Sequence, residues 1–115
     1  MAVTIYHNPR CSKSRQTLSL LQEKGIEPEI IEYLSTPPTP DKLKEIIRML
    51  GISARELMRN KEDAYKSNGL DNKNLDEDEL INAMIENPVL IERPIVLSNG
   101  KAAIGRPPEN ILEII

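Results

Sequence analysis

The apolar residues fall into two periods, and the places where one gives way to the other outline the fold. AVTIY, residues 2–6, is short, β-branched and apolar, which predicts a buried strand broken at Asn8-Pro9. A helix is expected from about Ser12 through SRQTLSLLQEK, with Leu18 and Leu21 on its buried face and Gly25 as its stop. EIIEY, residues 29–33, predicts a second strand, so the opening third reads as a βαβ unit with parallel strands and a right-handed crossover. STPPTP, residues 35–40, is a stiff extended connection. Beyond it Leu43, Ile46, Ile47 and Leu50 follow helical spacing, with Thr39 as N-cap, Pro40 at the first position and Gly51 past the end. Ser53 and Glu56 can form a capping box for SARELMR, and KEDAYKSNGL predicts a polar helical turn or two ending at Asn68-Gly69. Asp76 and Glu79 can open one more helix, burying Leu80, Ile81, Met84 and Ile85 and closing at Asn87-Pro88.

The period then returns to two. PIVLSNGKAAI has apolar runs on both sides of Asn99-Gly100, a strong hairpin signal. Pro107 and Pro108 precede a short final helix through Ile111, Leu112 and Ile115. The order is β-α-β, a helical block, then β-β-α. Joined, the ends give an α/β fold: a four-stranded mixed sheet of thioredoxin-like arrangement, with a helical insertion at about residues 38–87 between the βαβ and ββα parts. Residues 1–115 are expected to form a single domain.

Composition narrows the function classes. Apolar residues make up 39% and charged residues 29%, as in a soluble globular protein and unlike a disordered one. The three Tyr are the only aromatics, so there is no platform for stacking bases, and a net charge of −3 gives no general attraction to nucleic acid or anionic membrane. No apolar run approaches the roughly 20 residues of a membrane span, and MAVTIYHNPR does not read as a secretory signal. One Cys and one His are too few for an internal disulfide or a structural zinc site. The expectation is a protein of the reducing cytoplasm with no metal and no bound cofactor.

That Cys and that His lie together in HNPRCSKSR, residues 7–15. Cys11 is expected between the first strand and the N-terminus of the first helix, where free N–H groups and the macrodipole favour an anion. Arg10, Lys13 and Arg15 add positive charge. An ordinary thiol is only about 3% ionised at pH 7; this setting is expected to raise that share. His7 could stabilise a thiolate as imidazolium or take its proton as a neutral base, or it could simply be a loop residue with a satisfied hydrogen bond. The segment Ser12, Lys13, Ser14 and Arg15 would form the anion-accepting start of the helix. CSKS is a C-x-x-S form without a second thiol, so redox chemistry at Cys11 needs a foreign one, with glutathione or a partner redox protein the natural candidate.

YHNPRCSKSR, the TPPT connection, GISARELMR, NPVLIERPIV and the closing GRPPE together resemble the glutaredoxin-dependent arsenate reductase family, its short ArsC-like branch, over essentially the whole chain. The resemblance implies a thioredoxin-like fold and a cytoplasmic enzyme reducing arsenate to arsenite, with glutathione as co-substrate and glutaredoxin as partner. It implies that Cys11 is the nucleophile, His7 the residue that tunes it, Arg59, Arg93 and Arg106 the oxyanion-binding arginines, and Pro94 the cis-proline facing the cysteine. The chemistry is coherent: arginine forks neutralise a tetrahedral oxyanion that would otherwise repel a thiolate. Ser12-Lys13 departs from the small Gly-Thr pair often found after the family's nucleophile. Two rival readings are a glutathione-linked thiol oxidoreductase acting on another oxyanion or on protein mixed disulfides, and a non-enzymatic regulator binding RNA polymerase.

Overall fold

The structure is a computed structural model and describes residues 2–115. The chain divides into two compact units. One comprises the segment ending at Thr36 together with Arg93–Ile115, and the other is Pro37–Glu92.

The first unit holds the sheet: β1 (Val3–His7), α1 (Ser12–Glu23), β2 (Glu29–Glu32), β3 (Ile95–Ser98) and β4 (Lys101–Ile104), followed by a 3₁₀ turn at Pro108–Glu113. The strand order is β2-β1-β3-β4. β1 runs parallel to β2, while β3 is antiparallel to both β1 and β4. The mixed sheet is therefore the expected one, and the fold is thioredoxin-like. β1 is central, and Ile5 at its middle pairs with Ile30 on one side and Val96 on the other. Ile5, Leu21, Val96 and Ile111 are completely buried together; full burial of side chains of this size contributes about 1.5–3 kcal/mol each. Asn99 (φ 57°) and Gly100 (φ 73°) both take positive φ, as a two-residue turn joining right-twisted strands demands.

Two details depart from the sequence pattern. The buried positions of α1 are Ser14, Thr17 and Leu21, while Leu18 is only partly covered. Small polar side chains take the inner stripe because each finds a hydrogen-bond partner there. The final element is a 3₁₀ turn that buries Ile111 and Ile114 and leaves Leu112 and Ile115 exposed, since with three residues per turn i and i+3 share a face.

The second unit is helical: α2 (Pro40–Leu50), α3 (Ala54–Leu57), α4 (Asp63–Ser67) and α5 (Glu77–Glu86), then a 3₁₀ turn at Pro88–Leu90. Its helix starts follow the sequence signals. The Thr39 hydroxyl accepts the Lys42 N–H, and complete capping boxes stand at Ser53/Glu56 and Asp76/Glu79. Leu43, Ile46, Leu57, Met84 and Leu90 form its buried interior, with no exposed surface. Arg55 ties down the loop after α4, donating to Tyr65 Oη, Leu70 C=O and Asn72 C=O at 2.7, 2.7 and 2.9 Å. Among the described residues no helix is long and apolar enough to cross a membrane.

Candidate functional site

β1 ends at His7, and the next four residues make a tight turn. Asn8 C=O accepts the Cys11 N–H at 3.0 Å, closing a turn with Asn at its first position and Pro at its second, where both are favoured. Asn8 Oδ1 accepts the Arg10 N–H at 3.0 Å, and the Arg15 guanidinium reaches back to Pro9 C=O at 2.9 Å. One of the basic residues beside Cys11 is thus also a strut for the loop that carries it.

Cys11 is half-buried and occupies the N-cap of α1 with extended dihedrals, φ −93° and ψ 123°. Its C=O accepts the Arg15 N–H at 3.0 Å. Its side chain makes no capping hydrogen bond, and the first turn contains no acidic residue. The first N–H groups of a helix lack partners within it, so this end retains the capacity to bind an anion.

Ser14, three residues on and fully buried, joins the helix to the strand. Its Oγ accepts the Asn8 N–H at 3.0 Å and lies 2.6 Å from His7 Nδ1. A neutral His7 satisfies this contact in either tautomer, since the Ser14 hydroxyl can donate to Nδ1 or accept from it. Burial favours the neutral form, pushing the His7 pKa below 6.5; Glu32, its register partner on β2, pulls upward, and Arg15 pushes further down. His7 therefore holds the cysteine loop through Ser14. Sequence reasoning gave Ser14 a place at the helix start and missed this contact. Asn8-Pro9 signals the turn, but no local pattern announces the burial of Ser14.

Arg93 lies two residues before β3 and is half-buried, with its Nε and Nη1 inaccessible to solvent. The Arg93–Pro94 bond is cis, and so is Arg106–Pro107. Arg106 follows β4 and is exposed. The Gly105 N–H donates to Pro94 C=O at 2.9 Å, which brings the two Arg-Pro segments alongside one another. His7, Cys11, Ser12, Lys13, Ser14, Arg15, Arg93, Pro94 and Arg106 all belong to the first unit. Arg59 belongs to the second, where its guanidinium is 2.9 Å from Glu62 and 3.9 Å from Glu92 and its N–H donates to Leu90 C=O at 2.7 Å. Beside the cysteine loop, a groove of about 750 Å³ begins at Ser12 and Arg15 and follows α1 to Glu23, with Glu109 on its far bank. Among the described residues no cluster of His, Cys, Asp or Glu could hold a metal ion.

Comparison with known proteins covers nearly the whole chain. The sequence pattern of the ArsC family matches residues 6–114. YfgD, an uncharacterized protein of Escherichia coli K12, is 60% identical over 98% of this chain and 96% of its own. A protein of Neisseria meningitidis serogroup A named arsenate reductase is 58% identical over 98% of this chain and 97% of its own. A solved structure of the arsenate reductase from Vibrio cholerae superposes with a TM-score of 0.97 at 52% identity, covering 100% of this chain and 98% of that one.

Proposed function

The chain belongs to the ArsC family, and we propose that it is an oxidoreductase that reduces arsenate to arsenite through Cys11, with glutathione and glutaredoxin supplying the electrons. The observation that carries this reading is the lone cysteine at the uncapped start of α1, on a loop fixed to β1 by Asn8, Arg15 and Ser14. The Cys11 thiolate attacks arsenic, a sulfur–arsenic bond forms, and one oxygen leaves as hydroxide, taking up a proton to become water. A glutathione thiolate then attacks the Cys11 sulfur of the adduct, forming a sulfur–sulfur bond as the sulfur–arsenic bond breaks and leaves its electron pair on arsenic. Two electrons thus pass from the two sulfurs to arsenic, arsenite departs, and Cys11 is left in a mixed disulfide with glutathione. Glutaredoxin exchanges that disulfide and restores the thiol. The groove that opens at Ser12 offers room for the incoming tripeptide.

Arg93 and Arg106 neutralise the oxyanion and the charge that develops as its oxygen leaves. Arg59 enters this proposal through the family resemblance alone. Its carboxylate partners are partly exposed, with side-chain accessibilities of 30% for Glu62 and 29% for Glu92. Ion pairs of this kind contribute little stability, which leaves the guanidinium able to exchange a carboxylate for another anion. With Nδ1 committed to Ser14, His7 serves as a positioning residue for the cysteine loop.

Purified protein supplied with glutathione and glutaredoxin is expected to turn over arsenate, and Cys11→Ser to lose that activity completely. A folded wild-type protein that leaves arsenate untouched would sink the proposal, and glutathionylated proteins would become the next substrates to assay.

A further inference from the structure

Four of the five glycines, Gly25, Gly51, Gly69 and Gly100, have positive φ and open space where a Cβ would stand. Gly105 is the reverse. Its φ is not in the left-handed region, and a Cβ there would lie 2.9 Å from Pro94 Cγ, 3.0 Å from Thr17 Cγ2 and closer still to Thr17 Oγ1. Glycine is needed at this position for space and not for backbone conformation.

Both walls of the slot bear on the candidate site. Thr17 lies on the buried stripe of α1, with no exposed surface, and donates its hydroxyl to Lys13 C=O at 2.8 Å. The same oxygen is 3.4 Å from Gly105 C=O, so the peptide linking Gly105 to Arg106 rests against the helix. On its other side the Gly105 N–H is fixed to Pro94 C=O, in the residue after Arg93. Thr17 is six positions beyond Cys11, about 9 Å along the helix axis, a span that an extended arginine side chain covers in large part.

We propose that Gly105, seated between Thr17 and Pro94, is a positioning residue: its missing side chain lets the Arg106 segment dock on α1, so that the Arg106 guanidinium serves the same anion as Cys11. This rests on the reading of Arg106 as an oxyanion ligand and adds what sets its place. Gly105→Ala must push the segment outward, because the obstructing atoms belong to a buried helical threonine and a proline ring rather than to the ends of flexible chains.

The test uses Cys11 as its own reporter. Iodoacetate is an anion and iodoacetamide is its neutral analogue, so the ratio of their rates at Cys11 measures local anion attraction without any need for arsenate turnover. Wild type, Arg106→Gln, Gly105→Ala, Thr17→Ala and the Thr17→Ala/Gly105→Ala double variant are compared, with kcat and KM for arsenate measured in parallel. Arg106→Gln and Gly105→Ala are each expected to lower the iodoacetate-to-iodoacetamide ratio and to raise KM by about tenfold or more, the scale of a lost charged hydrogen bond. The neutral reagent should react as it does with wild type. Removing Thr17 Oγ1 and Cγ2 clears two of the three obstructing atoms, so the double variant should recover much of the loss relative to Thr17→Ala. The proposal is overturned if Gly105→Ala keeps the wild-type ratio, if Arg106→Gln does so, if the neutral rate falls as far as the anionic one, or if the double variant is no better than Gly105→Ala. A wild type that ignores arsenate while the ratio follows the expected order would end the arsenate reading and leave Gly105 in this role.

Discussion

The helices of the two units begin in different ways. In the second unit α3 and α5 start with reciprocal capping boxes, Ser53 with Glu56 and Asp76 with Glu79, and both have acidic residues in the first turn. In the first unit α1 keeps only half of that device. The residue at its third position, Ser14, still reaches back to a backbone N–H, but to Asn8 rather than to the N-cap. The N-cap is Cys11, whose side chain makes no cap bond, and no carboxylate stands in the first turn. A box at α1 would occupy the N–H groups that an anion needs. The helix start is instead secured from outside, by the turn at Asn8-Pro9 and by Arg15 on Pro9 C=O. The contrast separates α3 and α5, which close their own first turns, from α1, which has neither a cap bond nor an acidic residue there; α4 lacks the cap bond too but carries Asp63 in its first turn.

Three changes probe this contrast, in falling order of effect. Ser14→Ala would leave the Asn8 N–H and His7 Nδ1 buried without their partner, and is expected to cost about 1–3 kcal/mol in urea unfolding. A loss below a few tenths would mean that Ser14 does not secure the loop. Exchanging the two kinds of helix start comes next. Asp76→Ala should lose about 1 kcal/mol, whereas Cys11→Asp should gain about 0.5–2 kcal/mol, because the Cys11 backbone already has N-cap dihedrals. An unchanged or lowered stability in Cys11→Asp would show that α1 does not forgo a cap. The smallest effect is that of pH. Burial lowers the His7 pKa, so between its folded value and 6.5 the unfolded chain binds more protons. The His7 contribution is therefore complete above about pH 6.5 and declines as pH falls through that window. The stability difference between wild type and His7→Gln should shrink on acidification below that point, and a constant difference would contradict the assignment.

Where local chemistry decides structure, the elements were readable before folding. Thr39, Ser53/Glu56, Asp76/Glu79 and Asn99-Gly100 act within a few residues of themselves, and each sits where its signal put it. The placement of Cys11 after a strand and before a helix was readable for the same reason. Ser14 and Thr17 were not. A helical pattern read from hydrophobicity favours Leu18 over either, yet contacts with His7, Asn8 and Gly105, none of them helical neighbours, turn the polar stripe inward. Gly105 carries no turn signal at all, and its reason lies in a threonine 88 positions away. Arg59, in RELMRNKE, looks like any charged helix face, and its carboxylate partners within the second unit keep it inconspicuous.

β2 is one of the two edge strands of the sheet, and its Ile30 is 47% exposed. Such a rim invites another molecule to continue the sheet. Glu29 and Glu32 bracket the strand, so two copies approaching rim to rim would bring carboxylates face to face. Like charges along this rim disfavour the pairing of one copy's β2 with another's.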